Sequence, residues 1–339
     1  MIIKRLGILL VLAVIVFACD SDEDKKGRFL LKGIDKINES SYKEAINYFT
    51  EALAIDPNYV DALNNRGLAY AKSGKDREAI YDYNKAIELA PDHQQALFNR
   101  AVAYQNVSEY YNSLADLDRL EKLIPDAPYV PFTKGLVLTE QKRYDEAIEA
   151  FTKSIALDEY NAETFVNRAT IYFYKGAFDQ AKEDLSVGLT LNPNEANIYN
   201  LYSQIAIKEM DWQEALVQVE KAIEINPGEA YYLNNKGFIL LQLGQYEDAG
   251  DLINQSIRMN SKNPWAYRNR GLYFLLTNDP NQAVIMLNQA LTMDDQLEDA
   301  HWYLAQAYSE LGDLEKACQV AKSAKEVSKG LADWLKENC

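Results

Sequence analysis

Hydrophobic residues recur along this chain at helical spacing, and the same pattern returns every 34 residues. The segment NNRGLAYAKSG at 64–74 reappears as NNKGFILLQLG at 234–244 and as RNRGLYFLLTN at 268–278. The first two start 170 residues apart, which is five times 34, and the last two start 34 apart. With residue 26 as position 1, nine 34-residue units run to Leu331 without insertion or deletion. The periodicity predicts a repeat array.

Each unit contains two apolar helical runs with a break near position 15, which predicts a helix, a turn and a second helix. Positions 8 and 20 are small in every unit, as a close helix crossing requires. Position 8 holds Gly33, Gly67, Ala101, Gly135, Ala169, Ser203, Gly237, Gly271 and Ala305. Position 20 holds Ala45, Ala79, Ser113, Ala147, Ala181, Ala215, Ala249, Ala283 and Ala317.

The ends of the predicted helices carry their own signals. Position 15 holds residue types that tolerate the left-handed conformation closing a helix: Gly74, Gly176, Gly244, Gly312 and Asn278. Position 32 holds prolines, which stop the second helix because proline cannot continue it: Pro57, Pro91, Pro125, Pro193 and Pro227.

This frame resembles the tetratricopeptide repeat, a helix–turn–helix unit of 34 residues. The resemblance implies an all-α fold, a right-handed α-solenoid of nine repeats. The repeats would occupy 26–59, 60–93, 94–127, 128–161, 162–195, 196–229, 230–263, 264–297 and 298–331. The last segment, 332–339, is predicted to be a capping helix that covers the apolar end of the array, with Leu331, Trp334 and Leu335 on one face.

Asparagine recurs at position 6 although it is a poor residue for a helix interior, so its recurrence suggests a role. The five examples are Asn65, Asn99, Asn167, Asn235 and Asn269, each followed by Arg or Lys. The resemblance implies that position 6 faces the concave groove of the first helices. In some family members successive amides there hold the backbone of an extended peptide. The alternative is that each amide bonds to the neighbouring unit and fixes stacking.

Aromatic residues also cluster at the predicted groove positions of units three to five: Phe98, Tyr129, Phe132, Phe173 and Tyr174. Aromatic side chains supply much of the energy at binding hot spots. Residues at this spacing are equally consistent with ordinary core packing. The groove lacks the lysines with which chaperone-binding members hold an acidic C-terminus, so that kind of partner is not expected.

The N-terminal segment MIIKRLGILLVLAVIVFAC has the layout of a secretory signal, with a basic start and a twelve-residue apolar run. Val16-Phe17-Ala18-Cys19 resembles the lipobox of bacterial lipoproteins. The resemblance implies a signal peptide at 1–18, lipidation of Cys19 and a lipidated acidic tether at 19–25 that serves as a spacer or an export tag. The alternatives are an uncleaved signal anchor and a coincidental cysteine.

Charge, motifs and histidine content argue against several classes of function. With 35 basic and 51 acidic residues the chain carries a net charge of −16, which argues against a nucleic-acid partner. The sequence has no CxxC, GxSxG or GxGxxG motif, and its two histidines, His93 and His301, lie far apart. We therefore expect no catalytic residue, no metal site and no cofactor.

The cysteines that remain beside Cys19 are Cys318 and Cys339. An even pair in an exported protein favours a disulfide bond, and two unpaired thiols are the alternative.

Together these patterns predict a non-enzymatic, lipid-anchored scaffold of the cell envelope, at the outer membrane of a Gram-negative bacterium. Its concave groove would bind a peptide segment or a protein partner whose identity the sequence does not give. One alternative is a structural spacer that uses its array ends and convex face. Another is a glycan-binding surface lipoprotein. The oligomeric state is left open.

Overall fold

The computed structural model describes residues 21–325 and 327–339, and these residues form helices without any strand. The chain divides into two compact units at Leu157/Asp158. The first unit contains α1 (Asp22–Asn38), α2 (Tyr42–Ile55), α3 (Val60–Lys72), α4 (Asp76–Leu89), α5 (Gln94–Asn106), α6 (Tyr110–Leu123), α7 (Tyr129–Glu140) and α8 (Tyr144–Leu157).

The second unit contains the remaining helices. These are α9 (Ala162–Tyr174), α10 (Phe178–Leu191), α11 (Ala196–Lys208), α12 (Trp212–Ile225), α13 (Ala230–Gln242), α14 (Tyr246–Met259), α15 (Pro264–Leu276), α16 (Pro280–Met293), α17 (Ala300–Glu310), α18 (Leu314–Ser323) and α19 (Lys329–Asn338). The all-α solenoid fold predicted from the 34-residue period is confirmed.

The small residues at position 8 are required by the partner helix of the same repeat. A Cβ atom added to Gly67 would lie 2.6 Å from the ring of Tyr83, and one added to Gly135 would lie 2.6 Å from the ring of Phe151. Both rings are fully buried. Position 20 is fully buried in all nine repeats as well. Tyr83 and Phe151 both occupy position 24 of their repeats. The small residues at positions 8 and 20 therefore let these large side chains pack against the backbone of the first helix.

The turn between the two helices of every repeat has one residue in the left-handed region. The φ angle at position 15 lies between 58° and 81° in all nine repeats. The glycines and Asn278 were anticipated from the sequence, but four other side chains adopt the same conformation: Ser40, Ser108, Lys142 and Met210. At these four sites the geometry of the turn imposes a left-handed backbone on residues that otherwise disfavour it.

Within each unit the first helices contact each other in succession. In the first unit α1, α3, α5 and α7 form such a row, and in the second unit α9, α11, α13, α15 and α17 do so. The second helices pack their backbones against the helices next to them in the chain, although Lys153 on α8 also forms an ion pair with Glu121 on α6. The first helices therefore make one shared face in each unit, which we call the inner face of that unit.

The start of α1 corrects the predicted tether. Residues 22–25, assigned to the tether from their charge, are helical, and Ser21 is the N-cap. The Ser21 hydroxyl accepts a hydrogen bond from the Asp24 amide, and the Asp24 carboxylate accepts one from the Ser21 amide. Acidic residues in a first turn are also stabilised by the helix dipole. Charges that suggested a solvated spacer thus favour the start of a helix. The predicted signal peptide and Cys19 lie outside the described residues.

The C-terminal helix is also longer than predicted, because Ser328 caps it and it begins at Lys329 instead of 332. Leu331 is buried against Ala305 and Ala321, with Trp334 and Leu335 beside it. Cys318 in α18 and Cys339 at the end of α19 are joined as a disulfide, with Cα atoms 5.7 Å apart. The α19 helix is thus held against the last repeat by apolar contacts and by this bridge.

Candidate functional site

The five position-6 asparagines fall into two groups. Asn65 and Asn167 donate their side-chain amides to backbone carbonyls one turn earlier in their own helices, those of Asp61 at 2.8 Å and Glu163 at 2.9 Å. These bonds use one hydrogen of each Nδ2 atom and hold the amide in place, and the Oδ1 atom of each side chain is an acceptor.

The other three asparagines bridge neighbouring repeats. Their Nδ2 atoms donate to an Oδ1 atom at position 5 of the preceding repeat: Asn99 to Asn64 at 3.1 Å, Asn235 to Asn200 at 2.9 Å and Asn269 to Asn234 at 3.0 Å. Such bonds fix stacking between first helices. The sequence analysis missed the position-5 acceptors, although the dipeptides Asn64-Asn65 and Asn234-Asn235 placed two amides side by side.

Three of the five basic residues that follow these asparagines tie helices of the same repeat together. Arg66 makes a two-pronged ion pair with Asp82, with both N···O distances at 2.7 Å. Arg100 pairs in the same way with Asp116, and Arg168 with Asp184. The hydrogen bonds to Asp82 raise the pKa of Arg66. These guanidinium groups tie the first helix to the second helix of the same repeat.

The second unit contains a cavity of 530 Å³ at its inner face, between α9 and α11. We call it the amide-lined cavity. Its walls include Glu163, Asn167, Thr170, Phe173 and Tyr174 from α9, Asn192 and Glu195 from the connecting turn, and Asn197, Asn200 and Gln204 from α11. It therefore brings together three residues predicted from the sequence, Asn167, Phe173 and Tyr174.

Hydrogen bonds from the next repeat fix the direction of two amides in this cavity. The Tyr232 hydroxyl donates to Asn197 Oδ1 at 2.6 Å, and Asn235 Nδ2 donates to Asn200 Oδ1. Burial, with the nearby Glu229 and Glu195 carboxylates, raises the pKa of Tyr232 to about 12, so this hydroxyl is a donor at neutral pH. Because these bonds occupy the two Oδ1 atoms, Asn197 and Asn200 have their side-chain N–H groups as the donors that they can offer to the cavity, while Asn167 can offer its Oδ1 atom as an acceptor.

Two of the predicted aromatic residues form a pair in the first unit. Phe98 and Tyr129 meet edge to face, with ring centroids 4.9 Å apart. Together with Gln94, Gln95 and Asn99 they line a second cavity of 420 Å³ in the first unit. This cavity brings together three predicted residues: Phe98, Asn99 and Tyr129.

The other aromatic candidates differ in exposure. Phe132 packs against the buried ring of Phe151, with centroids 5.9 Å apart, and contributes to the helix interface. Phe173 packs against Phe178 at 5.9 Å and lies 5.7 Å from the ring of Tyr174. Tyr174 is 61% exposed, so its ring is accessible at the rim of the amide-lined cavity.

Neither a metal cluster nor a membrane-spanning helix was found in the part of the chain that the structure describes. Residues 21–325 and 327–339 contain no group of three or more His, Cys, Asp or Glu side chains able to hold a metal ion. None of the helices in those ranges is long and apolar enough to cross a membrane.

Family models agree with the helical pairing. Models described as tetratricopeptide repeat match residues 60–93, 98–162, 138–205, 219–251 and 299–326, and one described as TPR repeat matches 39–74. The chain belongs to the tetratricopeptide repeat family. Comparison with curated proteins gives no match.

Solved tetratricopeptide repeat structures share the fold at low sequence identity. A chain of the APC/C hetero-tetramer Cut9–Hcn1 superimposes with a TM-score of 0.62 and 18% identity over 82% of this chain, which spans only 55% of that one. Pseudomonas aeruginosa PilF gives 0.54 and 19%, covering 62% of this chain and 96% of its own. PilW, a type IV pilus biogenesis factor, gives 0.52 and 19%, with coverages of 61% and 98%.

Proposed function

We propose that this chain is a non-enzymatic scaffold that binds an extended segment of a protein partner in the amide-lined cavity. The proposal rests on the fixed direction of the amides that face that cavity. Asn197 and Asn200 present donors, and Asn167 presents an acceptor. An extended backbone carries C=O and N–H groups that match such a mixed set.

The energetic argument concerns pre-organisation. An amide that is already held by its own repeat, or by the next one, loses little conformational freedom when a partner binds. Asn167 is held by Glu163 O and Asn200 by Asn235, so both are set before binding. Backbone hydrogen bonds give affinity without requiring one particular sequence, which suits a scaffold. The exposed ring of Tyr174 adds an apolar contact at the rim.

Site-specific photo-crosslinking in the native cell tests this location. A photoreactive amino acid at Thr170, inside the cavity, is expected to give a defined cross-linked partner. The matched control is Val217 on α12, which is exposed in the same unit but does not line the cavity. The proposal fails if the Val217 probe captures the same partner and the Thr170 probe captures none.

Lipid anchoring in the cell envelope is a further part of the proposal. It is supported by the basic start, the apolar run and Cys19 of the sequence. It is also consistent with a fold shared with PilW, a type IV pilus biogenesis factor. Cys19→Ser is expected to abolish incorporation of a fatty-acid label and to release the chain or leave it as a precursor. An unlabelled variant that stays tightly membrane-bound would indicate a signal anchor instead.

A structural spacer is the second candidate, and a polar network in repeats six to nine favours it. Lys208 forms an ion pair with Glu298, 90 residues later, at 2.8 Å. The Glu298 backbone carbonyl accepts a hydrogen bond from Arg268, which also contacts Asn269. These contacts connect repeats six, eight and nine of the second unit through an ion pair and a hydrogen bond. A spacer would tolerate substitutions in the cavity and lose function when repeats are deleted.

A further inference from the structure

We infer that the amide-lined cavity selects a partner segment that carries a lysine or arginine side chain. This inference rests on the proposed function, because it concerns the side chain of the segment whose backbone the amides bind. It adds a chemical class of partner to the backbone hydrogen bonds and the apolar contact already proposed for this site.

The first argument is the charge of the lining. Glu163 and Glu195 contribute carboxylates to the cavity, and no Lys, Arg or His is among its lining residues. No salt bridge to either carboxylate is found in the described ranges 21–325 and 327–339. Glu195 accepts a hydrogen bond from the Asn197 backbone amide at 3.3 Å, and its charge is not neutralised by that contact.

One basic residue that directly follows a lining residue in the sequence is directed elsewhere. Arg168 follows Asn167 directly, yet its guanidinium pairs with Asp184 of α10 at 2.7 Å. Because the Asp184 carboxylate balances the charge of this guanidinium, Arg168 does not neutralise the carboxylates of the cavity. A carboxylate-lined cavity of this kind repels an acidic segment and attracts a cationic one.

The second argument is the aromatic wall. The rings of Phe173 and Tyr174 line the same cavity as the carboxylates, and Tyr174 is 61% exposed. A lysine or arginine side chain lays its methylene groups on such rings, while its charged end meets a carboxylate. The lining thus provides a surface for both parts of a basic side chain. The second cavity has Gln94, Gln95 and Asn99 in place of carboxylates, so it offers no such preference.

A displayed library of random nine-residue peptides, selected on the purified full-length chain, tests the inference. Binders are expected to be enriched in Lys or Arg at one position. The affinity of a selected peptide should fall at least tenfold in the Glu163→Gln/Glu195→Gln double variant, and its dependence on salt should weaken. The matched control is Glu183→Gln, an exposed carboxylate on α10 outside the cavity. Melting temperatures of all variants verify folding.

The outcomes separate this inference from the function on which it rests. One outcome is that the selected peptides are neutral or acidic and bind the Asn167→Ala variant more weakly, but not the double Glu→Gln variant. This would overturn the preference for a basic side chain, and the proposed binding of a partner segment in the amide-lined cavity would still hold. Binders insensitive to both sets of substitutions would lie elsewhere and would overturn the proposed site itself. Basic binders weakened equally by Glu183→Gln would reflect the overall negative charge and would also overturn the inference.

Discussion

Asn269 donates its side-chain amide to the Oδ1 atom of Asn234, one repeat earlier, at 3.0 Å. Both residues are buried, and Arg268 donates to the Oδ1 atom of Asn269 through Nε and a terminal nitrogen. The asparagine therefore joins two first helices and also satisfies a buried guanidinium. At this site the recurring asparagine serves stacking, which is one of the two roles that its recurrence suggested.

Asn269→Ala is therefore expected to destabilise the second unit by about 1–3 kcal/mol, because it leaves the Asn234 and Arg268 side chains with unmade hydrogen bonds. Asn65→Ala is the control, since Asn65 bonds only to its own helix and alanine is the better helix former. Urea unfolding gives the loss, and hydrogen exchange should place it in α13 and α15. Equal stability of the two variants would contradict the stacking role.

The Arg66–Asp82 pair predicts a larger effect. Asp82 is 1% exposed, so the pair lies largely out of solvent. Asp82→Asn would leave the Arg66 guanidinium without its counter-charge and should lower the free energy of unfolding by about 3 kcal/mol or more. Glu220→Gln is the matched control, because Glu220 pairs with Lys236 at the surface and such pairs contribute less than about 1 kcal/mol. Thermal and urea unfolding compare the two. A loss below 1 kcal/mol in Asp82→Asn would show that the ion pair is dispensable.

The left-handed turn at Met210 predicts a stabilising substitution. Met210 has a φ angle of 61° and is 73% exposed, so its side chain contributes little packing while its backbone is strained. Met210→Gly should stabilise the array by about 1 kcal/mol, because glycine adopts this conformation without a Cβ clash. Met210→Ala keeps the Cβ atom and should give no such gain. A rise in melting temperature common to both would point to loss of the side chain as its cause.

The Cys318–Cys339 bridge predicts a local response to reduction. The bond closes a loop with a sequence separation of 21 residues, for which chain entropy gives about 3 kcal/mol. Dithiothreitol should raise hydrogen exchange in α18 and α19 and leave α13 and α15 unchanged. Mass spectrometry of protein isolated from the cell envelope should find no free thiol at either position. Two alkylated cysteines in unreduced protein would contradict the bridge.

The sequence predicted the fold because period, small residues and turn glycines all report on local geometry. Position 8 is small in every repeat, and the turn at Gly74 lies where the frame placed it. The left-handed turns at Lys142 and Met210 escaped prediction because tertiary geometry imposes them on ordinary side chains. The start of α1 was not predicted because acidic residues such as Asp22 and Glu23 are typical of a solvated tether. The same residues also favour the N-terminus of a helix.

The site was less predictable, since a hydrogen bond between repeats depends on two side chains about 35 residues apart. Position 6 was recognised as important, but its partners at position 5, such as Asn200, were not. The Arg–Asp pairs could have been predicted from the sequence, because Arg66 and Asp82 are 16 residues apart and Arg100 and Asp116 have the same spacing. The grouping of carboxylates and amides around one cavity is visible only in the folded structure, since Glu163 and Gln204 belong to different repeats.

The affinity of one selected peptide for the wild type and for Asn167→Ala, measured with melting temperature on the same samples, tests the central claim most directly. The hydrogen bond that Asn167 donates lies within its own helix, and the residue lines the amide-lined cavity, so alanine should leave the fold as stable or slightly more so. We predict at least a tenfold loss of affinity, about 1.4 kcal/mol, without a fall in melting temperature. Unchanged affinity in a fully folded variant would contradict the claim that this cavity binds the partner.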